Sequence, residues 1–347
     1  MAYISFQPSD FFSPKIYTGT GAEQAITGVG FQPDTTWIKD RESSEDHHLI
    51  DSVRGATDFI IPNTTGGENT NAQDLKSFDS DGFTVGTAVE VNKNTSDFIS
   101  WNWKAGTTSG LSGGTITPTG YSINTTSGFG IYEYTGTNTN ATIAHGLGVA
   151  PKLVIVKRLT SGASWLVQHD GLTSAAYVLK LDTNGAESSD SANFNGTAPT
   201  STVFSLGTSN NTNKTGIVHM AYVFAEIKGY SKFGSYIGNG DNNGAVVYTG
   251  FRPAFVILKE SIGGNAGGWI TYDNKRPTSY NVNQDYLQAN DLAAEVNAST
   301  YAIDFNSNGF KIRASNGVIN GGGNAYVYLA FAEFPLVSSN SKAGTAR

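Results

Sequence analysis

The stretch YTGFRPAFVILK, residues 248–259, carries the clearest structural signal in the chain. A turn-forming Thr-Gly step and Pro253 lead into five apolar residues closed by Lys259. The run is rich in β-branched and aromatic side chains, too short for a helix, and bounded by turn residues, which predicts a buried β-strand. The same pattern occurs twice more. HGLGVAPKLVIVK spans 145–157 and GVGFQPDTTWIK spans 28–39, and each lysine follows its proline by six residues. Upstream stand YTGTG at Tyr17, YTGTN at Tyr134 and YIGNG at Tyr236, which precede Pro33, Pro151 and Pro253 by 16, 17 and 17 residues. Two spacings kept in three places mark a tandem array of one module.

The copies agree further downstream. A second strand ends in a shared Asp, in HHLID to Asp51, WLVQHD to Asp170 and WITYD to Asp273. A Gly-aromatic step follows at Gly82-Phe83 and Gly309-Phe310, with Phe204 the poorer match in copy two. Each copy closes on an apolar strand, FISWNWK, MAYVFAE or YLAFAE. The period of about a hundred residues exceeds that of solenoids, so each copy is expected to be a domain with its own core. The expected organisation is a segment at 1–15, modules at 16–106, 130–229 and 230–337, a Gly/Ser/Thr linker at 107–129 and a polar tail at 338–347.

Composition supports an all-β chain. Of 347 residues 41 are Gly and none is Cys, 15% are charged and 12% aromatic. That mixture suits many short strands with polar loops, and predicts three tandem β-sandwiches of jelly-roll-like type. Helical turns are expected only around 173–181 and 287–296. The start MAYISFQPSDFF lacks the pattern of a secretory signal, and no run reaches the roughly 18 apolar residues of a membrane span. A net charge of −7 argues against a nucleic-acid partner, which requires a basic face.

Candidate chemistry is sparse. His47 and His48 beside Asp51 suggest a metal, but the equivalent positions drift between copies and neighbouring strand residues face opposite ways, so none is assigned. The shared Asp51, Asp170 and Asp273 read as turn caps. Lys39, Lys157 and Lys259 read as strand ends reaching solvent, because a nucleophilic lysine needs a buried pocket and a partner. Trp165 and Trp269 are candidates for stacking on the sugar rings of a glycan, against the commoner role of core anchors. Trp101 and Trp103 share a face, and Phe224 and Phe331 match Trp103. IGNGDNNG, 237–244, has neither the sequel of a phosphate loop nor the spacing of an EF-hand. No cofactor and no enzymatic activity are expected. Phe6, Phe11 and Phe12, with Pro8 and Pro14, suggest an extended segment able to dock into a groove or add a strand to a neighbour.

YTGTGAEQAITGVGFQPDTTWIKDR, DSVRGA, SFDSDGFTVG and WNWKAG resemble a module of structural proteins of tailed bacteriophages, marine ones especially, and GYSKFGSYIGNG, YTGFRPAFVILK, FNSNGFKIR and YLAFAE resemble its usual C-terminal partner. The resemblance implies a tail-fibre-like or other virion structural protein, made in the host cytoplasm and placed on the particle exterior. It carries over no catalytic residue. Copy two departs most, lacking DSVRGA. Expected partners are other virion proteins in the shell or tail, further copies of the chain with a trimer favoured, and host surface glycan.

Overall fold

Three large antiparallel sheets carry the chain, one per sequence copy, in a computed structural model that describes residues 4–335 except 161, 266 and 280. In copy one the spatial order is Phe12–Thr18, Asp97–Trp103, Thr35–Asp40, His48–Asp51, Asp58–Ile60 and Asn69–Thr70. In copy three it is Ser231–Ile237, Ala325–Pro335, Phe251–Ile262, Ile270–Asp273, Asp285–Gln288 and Val296–Asn297. Copy two repeats the order with Phe129–Thr135, Val218–Ala225, Pro151–Arg158, Leu166–His169, Tyr177–Lys180 and Ser188–Ser189. There Gly120–Asn124 adds a seventh strand at the edge. The segment expected to be a linker therefore contributes a strand to copy two. The polar tail at 338–347 lies outside the described residues.

A small sheet packs on one face of each large one. Gln24–Thr27, Gly82–Val85 and Leu75–Asp79 form it in copy one, and Val246–Tyr248, Gly309–Ile312 and Ile303–Asn306 in copy three. Copy two keeps only Ala141–Ala144 and Val203–Leu206. Its missing hairpin is the reason the Gly-aromatic step matched poorly at Phe204. The sandwich expectation holds, but the strands divide six to three, seven to two and six to three instead of following the eight-stranded double Greek key of a jelly roll. The segment 287–296 runs from the end of one strand through a turn and irregular chain to the start of the next, Val296–Asn297, and 173–181 contains the strand Tyr177–Lys180. Neither forms a helix. The loop lengths there are set by pairing across the sheet, which outweighs weak local helix preference.

Strand alternation sends successive side chains to opposite faces. In copy one Ile38, Ile50 and Phe98 face the small sheet, in a cluster with Ile26, Phe83 and Val85. Their neighbours Trp37, Leu49, Ile99, Trp101 and Trp103 face the other way. There they meet Phe129, Leu153, Trp165 and Phe224 of copy two, and Phe233, Phe255, Trp269 and Phe331 of copy three, in one cluster shared by the whole chain. The large sheets are thus covered on both faces, which explains why their strands read as unbroken apolar runs. Each copy contributes a buried cluster of its own, and a further, larger cluster is built by all three together.

The centre of that shared core is a triangle of equivalent residues. Pairing Thr35↔Trp103, Leu153↔Phe224 and Phe255↔Phe331 puts Trp103, Phe224 and Phe331 at one position of the three sheets. Their rings lie 6.3 Å, 5.7 Å and 5.8 Å apart, in edge-to-face contacts of the kind aromatic rings favour. The packing leaves an apolar void of about 40 Å³ beside the triangle, room for a water or two.

Candidate functional site

The repeated residues converge on the seams between copies, and each seam uses the same positions. The indole of Trp165 in copy two donates to the Ile61 carbonyl of copy one at 3.1 Å. The indole of Trp269 in copy three donates to the Lys180 carbonyl of copy two at 2.9 Å. At the equivalent place copy one has His47, whose Nε2 lies 3.1 Å from both the Gln288 and the Asp291 carbonyl of copy three. Backbone bonds repeat the cycle: the amides of Glu68, Glu187 and Glu295 donate to the carbonyls of Leu159, Ser261 and Arg41. Copy two binds one, three binds two and one binds three. The chain closes on itself as a three-membered ring.

The shared aspartates form the second layer of this lock. Asp51 accepts from the amides of Val53 and Arg54, as a turn cap does, and from the Arg54 guanidinium at 2.7 Å. Asp273 repeats this with Lys275 and Arg276, at 2.6 Å to the guanidinium. The same carboxylates reach across the seams: Tyr222 Oη donates to Asp51 at 2.7 Å, and Trp101 Nε1 donates to Asp273 at 3.1 Å. In copy two the register gives Leu153↔His169 where its sisters give Thr35↔Asp51 and Phe255↔Asp273. The equivalent of the shared Asp is therefore His169, and Asp170 lies one residue beyond, paired with Lys152 at 2.9 Å. His169 Nε2 bonds the Tyr328 carbonyl at 3.0 Å and closes the third seam by other means.

Lys39, Lys157 and Lys259 do not reach solvent. They are 0%, 0% and 1% exposed. Lys157 Nζ donates to Ala163 O and, across a seam, to Thr65 O, while Lys259 Nζ donates to Gly267 O, Glu260 O and, across a seam, Asn184 O. Lys39 Nζ donates to Asp40 O and Ser43 O. Burial pushes each ammonium down to about 8. A charge is retained inside because converging loop carbonyls, otherwise unpaired, surround it.

The glycan candidates Trp165 and Trp269 are 0% and 2% exposed, so no ring face is open to a sugar. Their place in the shared core and their indole bonds to the next copy occupy both the apolar body and the polar edge. Phe12 is buried in the shared core, stacked on Phe331 at 4.9 Å. Phe6 and Phe11 pack on each other and on Tyr230 of copy three at 5.6 Å and 6.4 Å, leaving them half-buried. The first segment thus ties copy one to copy three. His47 and His48 face opposite ways, the second stacking on Phe59 and bonding Asp74. No group of three or more His, Cys, Asp or Glu among the described residues is placed to hold a metal.

Sequence reasoning missed three asparagines. Asn92, Asn213 and Asn320 are fully buried and precede Trp103, Phe224 and Phe331 by eleven residues each. Each side-chain amide donates to carbonyls of two loops and accepts an amide: Asn92 takes Thr20 N–H, Asn213 takes Thr137 N–H and Asn320 takes Asn239 N–H. The repeated tyrosines donate to the carbonyl just before each asparagine, Tyr17 to Val91, Tyr134 to Thr212 and Tyr236 to Ile319. A Cβ on Gly19, Gly136 or Gly238 would lie 2.1–2.4 Å from a carbonyl oxygen just after it. Those contacts are the physical content of the Tyr-x-Gly signature, and the constant spacing of eleven was the signal that could have revealed it.

Of the hollows on the surface, one on copy two is lined by Lys152, Gln168, His169, Asp170 and Ser174 and measures about 70 Å³. Gln168 replaces Ile50 and Tyr272 of the sister copies, donates to the Ala175 and Thr197 carbonyls, and leaves its Oε1 buried without a protein partner. That volume takes a few waters, which suffices for one unpaired acceptor. No curated protein and no solved structure matches the chain. Residues 7–335 match a family described as a domain of unknown function, DUF7483, and the match covers both the ring and its seams. The chain belongs to that DUF7483 family.

Proposed function

We propose that the protein is a bacteriophage virion structural protein, an exterior appendage such as a short tail fibre, head fibre or capsid decoration, which contacts the host surface. The observation that supports this reading is the ring itself: three copies of one sandwich, joined by repeated seams around a shared aromatic core. Exterior parts of a particle must survive dilution, and a ring made from one covalent chain cannot dissociate into subunits. Fibre proteins commonly obtain threefold symmetry from three chains. Here one chain contains it, so the ring is the unit placed on the particle, alone or as one of three. The phage resemblance of the long strings quoted above supplies the context.

The test is the copy number of this chain in purified particles, beside its mass in solution by light scattering. Presence in particles at fixed stoichiometry is the expected result, with few copies for a fibre and hundreds for a decoration. Absence from particles overturns the proposal.

A further inference from the structure

The three seams are built alike but do not titrate alike. At the seam of copies one and three, Trp37 Nε1–H donates to His47 Nδ1 at 2.9 Å. That nitrogen must be the unprotonated one, so Nε2 carries the hydrogen that faces the Gln288 and Asp291 carbonyls. At the seam of copies two and three, the Gly171 amide donates to His169 Nδ1 at 2.9 Å, and Nε2–H faces the Tyr328 carbonyl. Each ring is buried and held neutral by geometry, and a second proton would point N–H at N–H. The seam of copies one and two has no histidine: Trp165, Lys157 and Tyr222 make it.

We infer that acid releases copy three from the ring, because protonation of His47 and His169 breaks the two seams that hold it while the seam between copies one and two stays closed.

The surrounding charges do not rescue either imidazolium. Around His47 stand Lys39 on the adjacent strand and His48, both of which disfavour a positive ring; Asp291 faces it through its carbonyl, and the carboxylate of neighbouring Asp46 is bonded by Asn63. Around His169 stand Asp170 and Lys152, paired with each other, and the Tyr328 backbone. Burial, the largest cause, pushes His47 down to about 3 and His169 down to about 4. A depressed folded value means stability present above the unfolded value near 6.5 and lost as pH falls towards the folded one. Glu68, at the seam of copies one and two, works in the opposite sense, since burial raises its carboxyl and the folded form takes up a proton first. His145 and His219 accept amides in the same way, but all their hydrogen bonds stay within copy two and none crosses a seam.

The experiment is hydrogen exchange with mass spectrometry on the full chain at pH 7 and pH 5, corrected for intrinsic exchange rates. Each imidazole freed by opening favours the open form by roughly 30-fold at pH 5. Peptides reporting the Glu295 amide should therefore lose about 30-fold protection or more, and those reporting the Glu68 amide far less. In the double variant His47→Gln, His169→Gln, each glutamine offers one acceptor and one donor without titrating, and the difference between the two pH values at Glu295 should vanish. Unchanged protection of Glu295 in the wild type, equal loss at Glu68, or a variant as acid-sensitive as the wild type overturns the inference. If the variant does not fold, the comparison of Glu295 with Glu68 in the wild type decides alone.

Discussion

The hydroxyl of Tyr222 donates to Asp51 Oδ2 at 2.7 Å, although the two residues lie 171 positions apart in the chain. The bond joins copy two to copy one at a carboxylate already held by Arg54. Two effects on this pair separate cleanly. Tyr222→Phe removes one seam bond but leaves Asp51 its guanidinium, and should cost about 1–3 kcal/mol in urea unfolding. Arg54→Met removes the counter-charge from a buried carboxylate and should cost more, about 3–5 kcal/mol. A larger loss in Tyr222→Phe than in Arg54→Met would refute this ranking.

The glycines of the Gly-aromatic step make a sharper case. A Cβ on Gly82 would lie 2.0 Å from the Ile26 carbonyl oxygen, and one on Gly309 equally close to that of Val247, at φ of +144° and +158°. Both oxygens belong to paired strands and cannot move freely. Alanine at either position should destabilise by roughly 3 kcal/mol or more, whereas Gly264→Ala, with nothing within 4 Å, should fall within about 0.5 kcal/mol of the wild type. Thermal melts of the three variants test this.

The buried lysines predict an alkaline response. Their folded values near 8 lie below the ordinary lysine value, so between about pH 8 and 10 the unfolded chain binds more protons than the folded one. Stability therefore rises with pH in that window, on the order of 1–2 kcal/mol per lysine by pH 9.5, until the buried tyrosines oppose it above their ordinary value near 10. Urea midpoints at pH 7.5 and 9.5 check the sign, and a fall would contradict the burial of these ammonium groups.

A fragment distinguishes the ring from beads on a string. Residues 1–106 contain all of copy one, but alone they would expose Trp37, Trp101 and Trp103 on a face built to be covered. Such a fragment should be insoluble or bind a hydrophobic dye strongly, and add little native near-ultraviolet circular dichroism. A soluble, cooperatively unfolding monomer would show that the shared core is dispensable.

Legible in the chain alone were the threefold repeat, the β-strands, the turn-capping role of Asp51 and Asp273, and the shared face of Trp101 and Trp103. Those features are local: spacing, alternation and turn chemistry act within a few residues and survive without knowledge of neighbours. What covers the second face of each large sheet was not legible there. An apolar run such as 255–258 is the same whether its second face meets another domain, another chain or another copy. Lys259 at a strand end reads as exposed until the Asn184 carbonyl of copy two closes over it. Trp165 and Trp269 read as core anchors or as sugar-stacking aromatics until the next copy supplies a carbonyl for each indole and settles the first. His169 hides behind Asp170 because the sequence aligns by residue type, whereas the sheet aligns by register. What sequence cannot display is contact between residues a hundred positions apart, and the ring consists of such contacts.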